Sequence, residues 1–343
     1  MRYFVLAGLI AGALLGYYVL WSHLIDQVAA EADGWVETQK RQGRDAGYDS
    51  RRLWGFPYRL SVTFTKPRWQ DPQHPLGLKL EAEEVTAHLQ LWDMHHVIFE
   101  LGREQAVSWR ADASAERRLA MTAENGRASL VLDGAGNWLR IAADFTKPAL
   151  AGTALPDGPV SAAKLLLHAR RTGNVPPSTD LALQAETLIL PAGMGGPLGN
   201  QIAQFKLIGN ARGAAFGRTP EELLGSWRDG GGVIDLQTIA VQWGELKLDG
   251  DGTVSLDKQF RPLGAMSGEL RGMEAAVDAL VAGGRMRGQD AALAKTAAVA
   301  LAKRDTKNVA YIPAQFTIQD GRLFLGPIGL ISLPSILPNY QSQ

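Results

Sequence analysis

Three histidines close to Asp93 are the side chains whose spacing comes nearest to a metal site. His88, His95 and His96 fall within one short stretch of the chain. Neighbouring residues of a strand point to opposite faces, which separates His95 from His96, and the helical zinc pairing H-E-x-x-H is absent. The sequence therefore favours surface or edge histidines flanking a turn near Asp93, and we expect no metal.

Carboxylates at Glu81, Glu83 and Glu84 form a second cluster that could do chemistry. Glycosidases use a pair of carboxylates whose separation decides their mechanism, and the partner here would come from a distant part of the chain. Spacing along the sequence does not give that separation. Solvated strand residues are the favoured interpretation.

The string D-G-D-G at residues 249–252 has the composition of a calcium loop. An EF-hand that begins at Asp249 requires glycine at its sixth position and glutamate at its twelfth, where this chain has Val254 and Phe260. Asp and Gly also form tight turns. We therefore interpret residues 249–252, and the similar residues 132–136, as turns between antiparallel strands.

Other signals of catalysis are absent from the sequence. The chain has no G-x-S-x-G elbow, phosphate loop or dinucleotide fingerprint, and it has no cysteine. Its 35 basic residues balance 35 acidic ones, which argues against a nucleic-acid partner. We expect a protein that is not an enzyme and has no cofactor. An envelope hydrolase stays an alternative that requires converging carboxylates or a Ser-His pair in a cleft.

The strongest single signal is an uncharged run of 18 residues from Phe4 to Trp21, FVLAGLIAGALLGYYVLW. At 1.5 Å per residue it spans roughly 27 Å as a helix, close to the hydrocarbon thickness of a bilayer. Gly8, Gly12 and Gly16 lie along one side of that helix, where a second helix could approach closely. Abundant glycine in membrane helices explains the same spacing. The sequence predicts a membrane anchor that contains these residues.

The alternative for this run is a cleaved secretory signal. The nearest small-x-small site, residues 30–32, lies farther past the apolar run than such sites usually do. Arg2 precedes the run and Asp26 is the first charged residue after it. Positive charge stays on the cytoplasmic side, so we expect a single-pass inner-membrane protein whose C-terminal body lies in the periplasm.

The body beyond the anchor alternates apolar and polar residues, as in residues 58–64, which is the period of a half-buried strand. The predicted fold class is mainly β (α+β), with a transmembrane helix, two curved antiparallel sheet regions and a few covering helices. We expect an anchor and stalk at 1–45, a first β region at 46–195 and a second at 196–343. Residues 125–126, Asn-Gly, predict a hairpin turn, and Thr219 to Glu222 form a capping box that predicts a helix start.

The chain has nine tryptophans, mostly at or near predicted strand ends, among them Trp54, Trp92 and Trp243. They could line an apolar groove. Core or strand-edge packing is the more usual role of large aromatic side chains in a β protein of this size.

Three passages of the chain together resemble a known family: GFPYRL at 55–60, WGELKLDGDG at 243–252 and DGRLFLGPI at 320–328. They are similar to a proteobacterial family of membrane-anchored envelope proteins called domain of unknown function 2125. Strands joined by D-G-x-G turns behind an anchor are also distantly similar to AsmA-like envelope proteins, whose sheets form apolar grooves. The resemblance implies an envelope location and a β-rich architecture, and it carries over no catalytic residue.

These observations favour a non-enzymatic periplasmic binding protein that holds a lipid or another apolar envelope component. The alternative is a structural or adaptor protein in envelope assembly that recruits protein partners through sheet edges or the glycine side of the anchor. A sheet face lined with Leu, Val, Phe and Trp would favour the lipid.

Overall fold

The computed structural model describes residues 2–74, 76–110, 116–174, 177–192, 194–217, 219–284, 286–306, 308–326 and 328–337. The chain is mostly β, with 51% of residues in strands and 23% in helices, and the predicted mainly β class is confirmed. Within each of its two compact units, every strand pair that the structure describes is antiparallel.

The helices are α1 (Arg2–Arg41), α2 (Pro220–Asp229), α3 (Met273–Ala282), α4 (Gly288–Leu301) and one short 3₁₀ turn (Gly196–Leu198). The strands are β1 (Asp45–Gly47), β2 (Ser50–Trp54), β3 (Arg59–Thr65), β4 (Arg68–Gln70), β5 (Lys79–Ala82), β6 (Glu84–Gln90), β7 (Asp93–Leu101), β8 (Glu104–Arg110), β9 (Glu116–Thr122), β10 (Asn125–Leu132), β11 (Trp138–Thr146), β12 (Ala149–Ala151), β13 (Val160–Ser161), β14 (Lys164–Asn174), β15 (Pro177–Ile189), β16 (Gln201–Arg212), β17 (Val233–Trp243), β18 (Leu246–Leu256), β19 (Pro262–Arg271), β20 (Lys303–Arg304), β21 (Ala310–Gln319), β22 (Arg322–Leu325) and β23 (Ile328–Ser332).

The two compact units are Met1–Ile141, the N-terminal unit, and Ala142–Gln343, the C-terminal unit. In the N-terminal unit one series of neighbouring strands runs β2-β3-β6-β7-β10 and another runs β1-β4-β5-β8-β9. In the C-terminal unit β14 to β19 pair in chain order and continue through β21, β22 and β23. The boundary near residue 195 that we predicted lies between β15 and β16, which pair with each other.

Helix α1 continues without interruption from the apolar run into the body of the N-terminal unit. Trp21 and Ile25 are buried against Leu60 of β3, so the helix packs on the body of the N-terminal unit. Leu60 and Val62 point to the helix side of β3, while Ser61 and Thr63 point to the opposite face, as the alternation of a strand requires. Trp35, farther along the same helix, is 52% exposed.

Helix α2 begins where the capping box predicts. The Thr219 side chain accepts a hydrogen bond from the backbone N–H of Glu222, whose own carboxylate accepts from the Thr219 backbone N–H. An Ala-rich segment at residues 273–301 forms two helices, α3 and α4, and the first of them ends at Gly283. Each local signal therefore sufficed to place a helix end.

Two turn predictions were wrong. Residues 249–252 lie inside β18, paired on both sides, and the turn comes earlier, at Gly244. An added Cβ at Gly250 would lie 2.3 Å from the carbonyl oxygen of Ser267, so glycine here permits close approach of β19. Residues 125–126 do not close a hairpin between β9 and β10, because β9 pairs with β8 and β10 pairs with β7.

Asp257 fixes the turn between β18 and β19. Its carboxylate accepts from the backbone N–H groups of Gln259 and Arg261, each at 2.8 Å, and from Nε of Arg261 at 2.6 Å. Burial alone would raise the pKa of Asp257, but these hydrogen bonds outweigh it and hold the pKa below its usual value.

Replacing Asp257 by alanine should lower the free energy of unfolding by about 2 kcal/mol at pH 7, because it removes charge-assisted hydrogen bonds. Asp257→Asn keeps an oxygen that accepts from both backbone N–H groups, and it should cost less. Since the folded pKa is depressed, the stabilisation is complete above the unfolded pKa of about 3.9 and is lost as the pH falls through the folded value. Denaturation at pH 7 and below pH 4 would check this. If the difference in free energy of unfolding between the wild type and Asp257→Asn grew as the pH fell, the result would contradict this prediction.

Candidate functional site

The junction between α1 and the body is built from aromatic side chains at the end of the apolar run. The Phe56 ring lies 5.9 Å from Tyr17, 5.4 Å from Tyr18 and 5.5 Å from Trp21. Tyr17 donates its hydroxyl hydrogen bond to the carbonyl of Pro57. The loop before β3, with a cis bond between Phe56 and Pro57, is thereby held against the helix where the apolar run stops.

The anchor residues that we predicted fall into two groups. Phe4 is 85% exposed, and an added Cβ at Gly8, Gly12 or Gly16 would meet nothing within 4 Å, so that side of the helix is open. Trp21 instead is only 9% exposed, and its indole N–H donates to the carbonyl of Arg59 at 2.9 Å. Trp21 therefore ties the helix to β3.

An open pocket of about 370 Å³ lies on the face of the β3-β6-β7-β10 series that is opposite to α1. Its charged and titratable lining consists of Arg59, His88, His96, Glu100 and Arg127. Two largely exposed aromatic side chains also line it: Tyr58 at 76% exposure and Trp92 at 72%. Since Tyr58 and Arg59 follow the Phe56-Pro57 loop directly, the pocket adjoins the helix junction.

His88 is the buried group of this pocket. Its Nδ1 lies 2.8 Å from the Ser61 hydroxyl, and its ring meets Trp54 edge-on at 5.7 Å. Its Nε2 lies 3.4 Å from a Glu100 carboxylate oxygen but makes no hydrogen bond among the residues that the structure describes. The His88 side chain is 7% exposed, so a polar atom is enclosed without a partner.

Ser61, His88 and Glu100 include the Ser-His pair that the hydrolase alternative required. Ser61, however, is 0% exposed, and no substrate carbonyl could reach its hydroxyl without opening the sheet. Its neighbour Thr63 makes similar buried contacts, with the Thr86 hydroxyl and with the Trp54 indole N–H. The geometry makes Ser61 a positioning residue that fixes the orientation of the His88 ring.

The other predicted candidates do not converge on this pocket, apart from His96. His95, one residue along β7, lies on the opposite face as the alternation predicted. Within the described ranges, no group of three or more His, Asp or Glu side chains is arranged to hold a metal.

Glu81 is engaged in ion pairs. Its carboxylate lies 2.8 Å from Nζ of Lys79 and 2.8 Å from a guanidinium nitrogen of Arg118. The hydrogen bond from Lys79, followed by that from Arg118, holds the pKa of Glu81 below its usual value despite partial burial. Glu83 accepts from the backbone N–H of Arg103 at 3.2 Å. Glu81 and Glu83 therefore hold neighbouring strands together through ion pairs and a backbone hydrogen bond.

A second candidate surface lies in the C-terminal unit, on one face of its sheet. Cross-strand partners share a face, and the register from β14 to β21 defines three rows there that contain only apolar residues and glycine. We call this surface the apolar face. Its rows are Leu165-Ala185-Phe205-Val241-Leu248-Leu270-Ile312, Leu167-Leu183-Leu207-Ile239-Gly250-Gly268-Ala314 and Ala169-Leu181-Gly209-Leu236-Gly252-Met266-Phe316.

The opposite face of the same strands carries charged and polar side chains among apolar ones such as Leu166 and Ala240. One row between those above contains Gln184, Lys206, Asp249 and Glu269. At the β19-β21 end the apolar face is closed, since Leu270 and Phe316 are buried and Met273 of α3 packs there. At the β14-β16 end its leucines are half-buried or exposed, with Leu167 at 38%. The open end is where an apolar ligand would find access.

Fold and surfaces together define a class: a β-rich, antiparallel protein behind one N-terminal helix, Gly8–Arg41, that is long and apolar enough to cross a membrane. A family model described as "Uncharacterized protein conserved in bacteria (DUF2125)" matches residues 21–334, and the chain belongs to that family. The resemblance to the family is confirmed. No curated protein and no solved structure matches the chain, so the more distant resemblance to AsmA-like proteins stays a prediction.

Proposed function

We propose that this protein is a single-pass inner-membrane protein with a periplasmic body that is not an enzyme and that holds the acyl chains of an envelope lipid on its apolar face. The observation that carries this proposal is the run of apolar and glycine positions through seven paired strands, with charged side chains on the other face. The leucines at the open end of this face stay partly exposed to water unless an apolar ligand covers them.

The dimensions of the apolar face suit an acyl chain. Seven strands at about 4.8 Å per step extend roughly 29 Å. An acyl chain in one leaflet reaches about 15 Å, half of the hydrocarbon thickness. The proposed anchor would place the body beside a bilayer, which is the source of such chains.

Leu167 and Leu166 offer a matched test, because they are adjacent leucines of β14 on opposite faces. Full-length protein purified in mild detergent should retain envelope lipid, measured by mass spectrometry of the extract. Leu167→Gln should reduce the retained lipid several-fold, whereas Leu166→Gln should leave it nearly unchanged. A photoactivatable acyl lipid should crosslink to the apolar face. Crosslinks confined to residues 4–21 would refute the proposal, because they report bulk bilayer lipid only.

The adaptor role is the second candidate, and a specific observation favours it. The glycine side of the anchor is open, and α4 carries Leu293 at 71%, Val299 at 78% and Leu301 at 61% exposure. Reproducible protein crosslinks at these positions, together with no lipid on the apolar face, would replace the lipid proposal by the adaptor.

A further inference from the structure

We propose that the pocket in the N-terminal unit binds a phosphate group, and that this group belongs to a phospholipid head group at the membrane surface. The inference concerns a different site from the apolar face. Its phosphate chemistry is independent of the proposed function, and only the lipid source of the phosphate rests on the membrane anchor.

Position relative to the anchor is the first argument. The carbonyl of Arg59 accepts from the indole of Trp21, the last residue of the apolar run, while the Arg59 side chain lines the pocket. Tyrosine and tryptophan concentrate at the head-group level of membrane proteins. Tyr17, Tyr18 and Trp21 therefore mark that level on α1, and the pocket opens beside it.

The charge and geometry of the lining are the second argument. The guanidinium of Arg59 lies 4.8 Å from the Trp54 ring centroid, and this stacking fixes its plane while leaving its N–H groups available. Arg127 reaches Glu100 only at 3.8 Å and is 72% exposed at its side chain. A planar guanidinium group can donate two parallel hydrogen bonds to the oxygens of a phosphate, as it can to a carboxylate.

His88 supplies the third argument, because its buried Nε2 has no hydrogen-bond partner in the described part of the chain. A Ser61 hydroxyl that donates to Nδ1 makes Nε2 the ring nitrogen that carries a hydrogen. That N–H faces the side of Glu100 and the pocket. A phosphate oxygen there would accept from that N–H, while Glu100, which already lies 3.4 Å from Nε2 and 3.8 Å from Arg127, would accept from an ammonium group on the same head group.

Arg59 and Arg52 provide the matched variants. Both stack on Trp54, Arg52 at 5.7 Å, but Arg52 does not line the pocket. The probes are dihexanoyl phosphatidylethanolamine below its micelle concentration and inorganic phosphate, titrated calorimetrically into the full-length protein in a phosphate-free maltoside detergent. Loss of one charge-assisted contact in Arg59→Gln should weaken binding on the order of tenfold, and Arg52→Gln should change it less than about twofold.

Each outcome decides the proposal. Binding of the lipid probe much more tightly than inorganic phosphate supports a head-group site, and equal binding of both supports a phosphate site that serves a free phosphate compound. Arg127→Gln should also weaken binding. Because Arg127 is exposed, this variant tests the pocket even if Arg59→Gln does not fold. No binding of either probe, or equal effects of Arg59→Gln and Arg52→Gln, would overturn it. The Leu167→Gln variant should bind both probes as the wild type does. The phosphate test and the lipid-retention test of the apolar face can therefore fail independently.

Discussion

Full-length protein in which Trp21 is replaced by alanine is expected to lose about 3–5 kcal/mol of the free energy of unfolding of its N-terminal unit. Trp21 is 9% exposed, packs with Ile25 and Leu60, meets Phe56 edge-on and donates a hydrogen bond to the Arg59 carbonyl. Alanine leaves a cavity and removes the donor. The loss should also loosen the loop before β3 and with it the pocket that Arg59 lines.

Trp35 supplies the control, since it is the same residue type in the same helix but is 52% exposed. Trp35→Ala should change the free energy of unfolding by less than about 0.5 kcal/mol. Urea denaturation in detergent, followed by circular dichroism, measures both variants. Equal effects of the two substitutions would mean that Trp21 does not fasten α1 to the sheet. Phenylalanine at position 21 should recover part of the loss, because it restores bulk without the indole N–H.

Local signals in the sequence predicted where helices and strands lie, but they predicted poorly which strands pair with each other. The capping box placed the start of α2 because both of its hydrogen bonds lie within four residues of one another. The Asn-Gly pair at 125–126 gave a wrong hairpin, because it lies at the start of β10, which pairs with β7 instead of β9. Strand partners depend on contacts far apart in the chain, which a dipeptide does not encode.

The pocket lined by Arg59 and His88 shows the same limit at the level of a site. Alternation along β3 places Arg59 and Ser61 on one face, and this much could be predicted from the sequence. His88, Glu100 and Arg127 join them only because β6, β7 and β10 are successive neighbours of β3. Of these residues, sequence analysis considered only His88 as a candidate, and it favoured a surface or edge histidine over a metal ligand. That interpretation was wrong for His88, which is buried.

The apolar face depends on an irregularity that strict alternation hides. In β17 the register shifts between Leu236 and Ile239, so these residues, three apart, both fall on the apolar face. A bulge of this kind inserts one extra residue and restores the pattern. Gly250 and Gly268 face each other in the middle row for a different reason, since a Cβ at either would lie within 3 Å of backbone oxygen on the partner strand. The glycines at residues 249–252, which suggested a turn, are therefore explained by the close approach of β18 and β19.

Two aspartates in the apolar run, Leu9→Asp with Leu14→Asp, are expected to move the protein from the membrane pellet to the soluble or degraded fraction. A carboxylate near the centre of a membrane helix costs about 2.5–3.5 kcal/mol, several times what one leucine contributes. Both positions are exposed, at 67% and 61%, so the substitutions leave the packing of the body intact. Carbonate-washed membranes, probed by immunoblot, give the distribution.

The control places the same charges on exposed leucines of α4, as Leu293→Asp with Leu301→Asp, and this variant should remain in the pellet. If it leaves the membrane as completely as the anchor variant, α4 holds the protein at the bilayer and the N-terminal helix is not the sole anchor. Sequencing the N-terminus of the wild-type protein separates an anchor from a cleaved signal, because a mature chain that begins after residue 32 would lack the run altogether. Because Trp21 joins the apolar run directly to β3, an anchor that stays uncleaved would also hold the pocket lined by Arg59 near the bilayer.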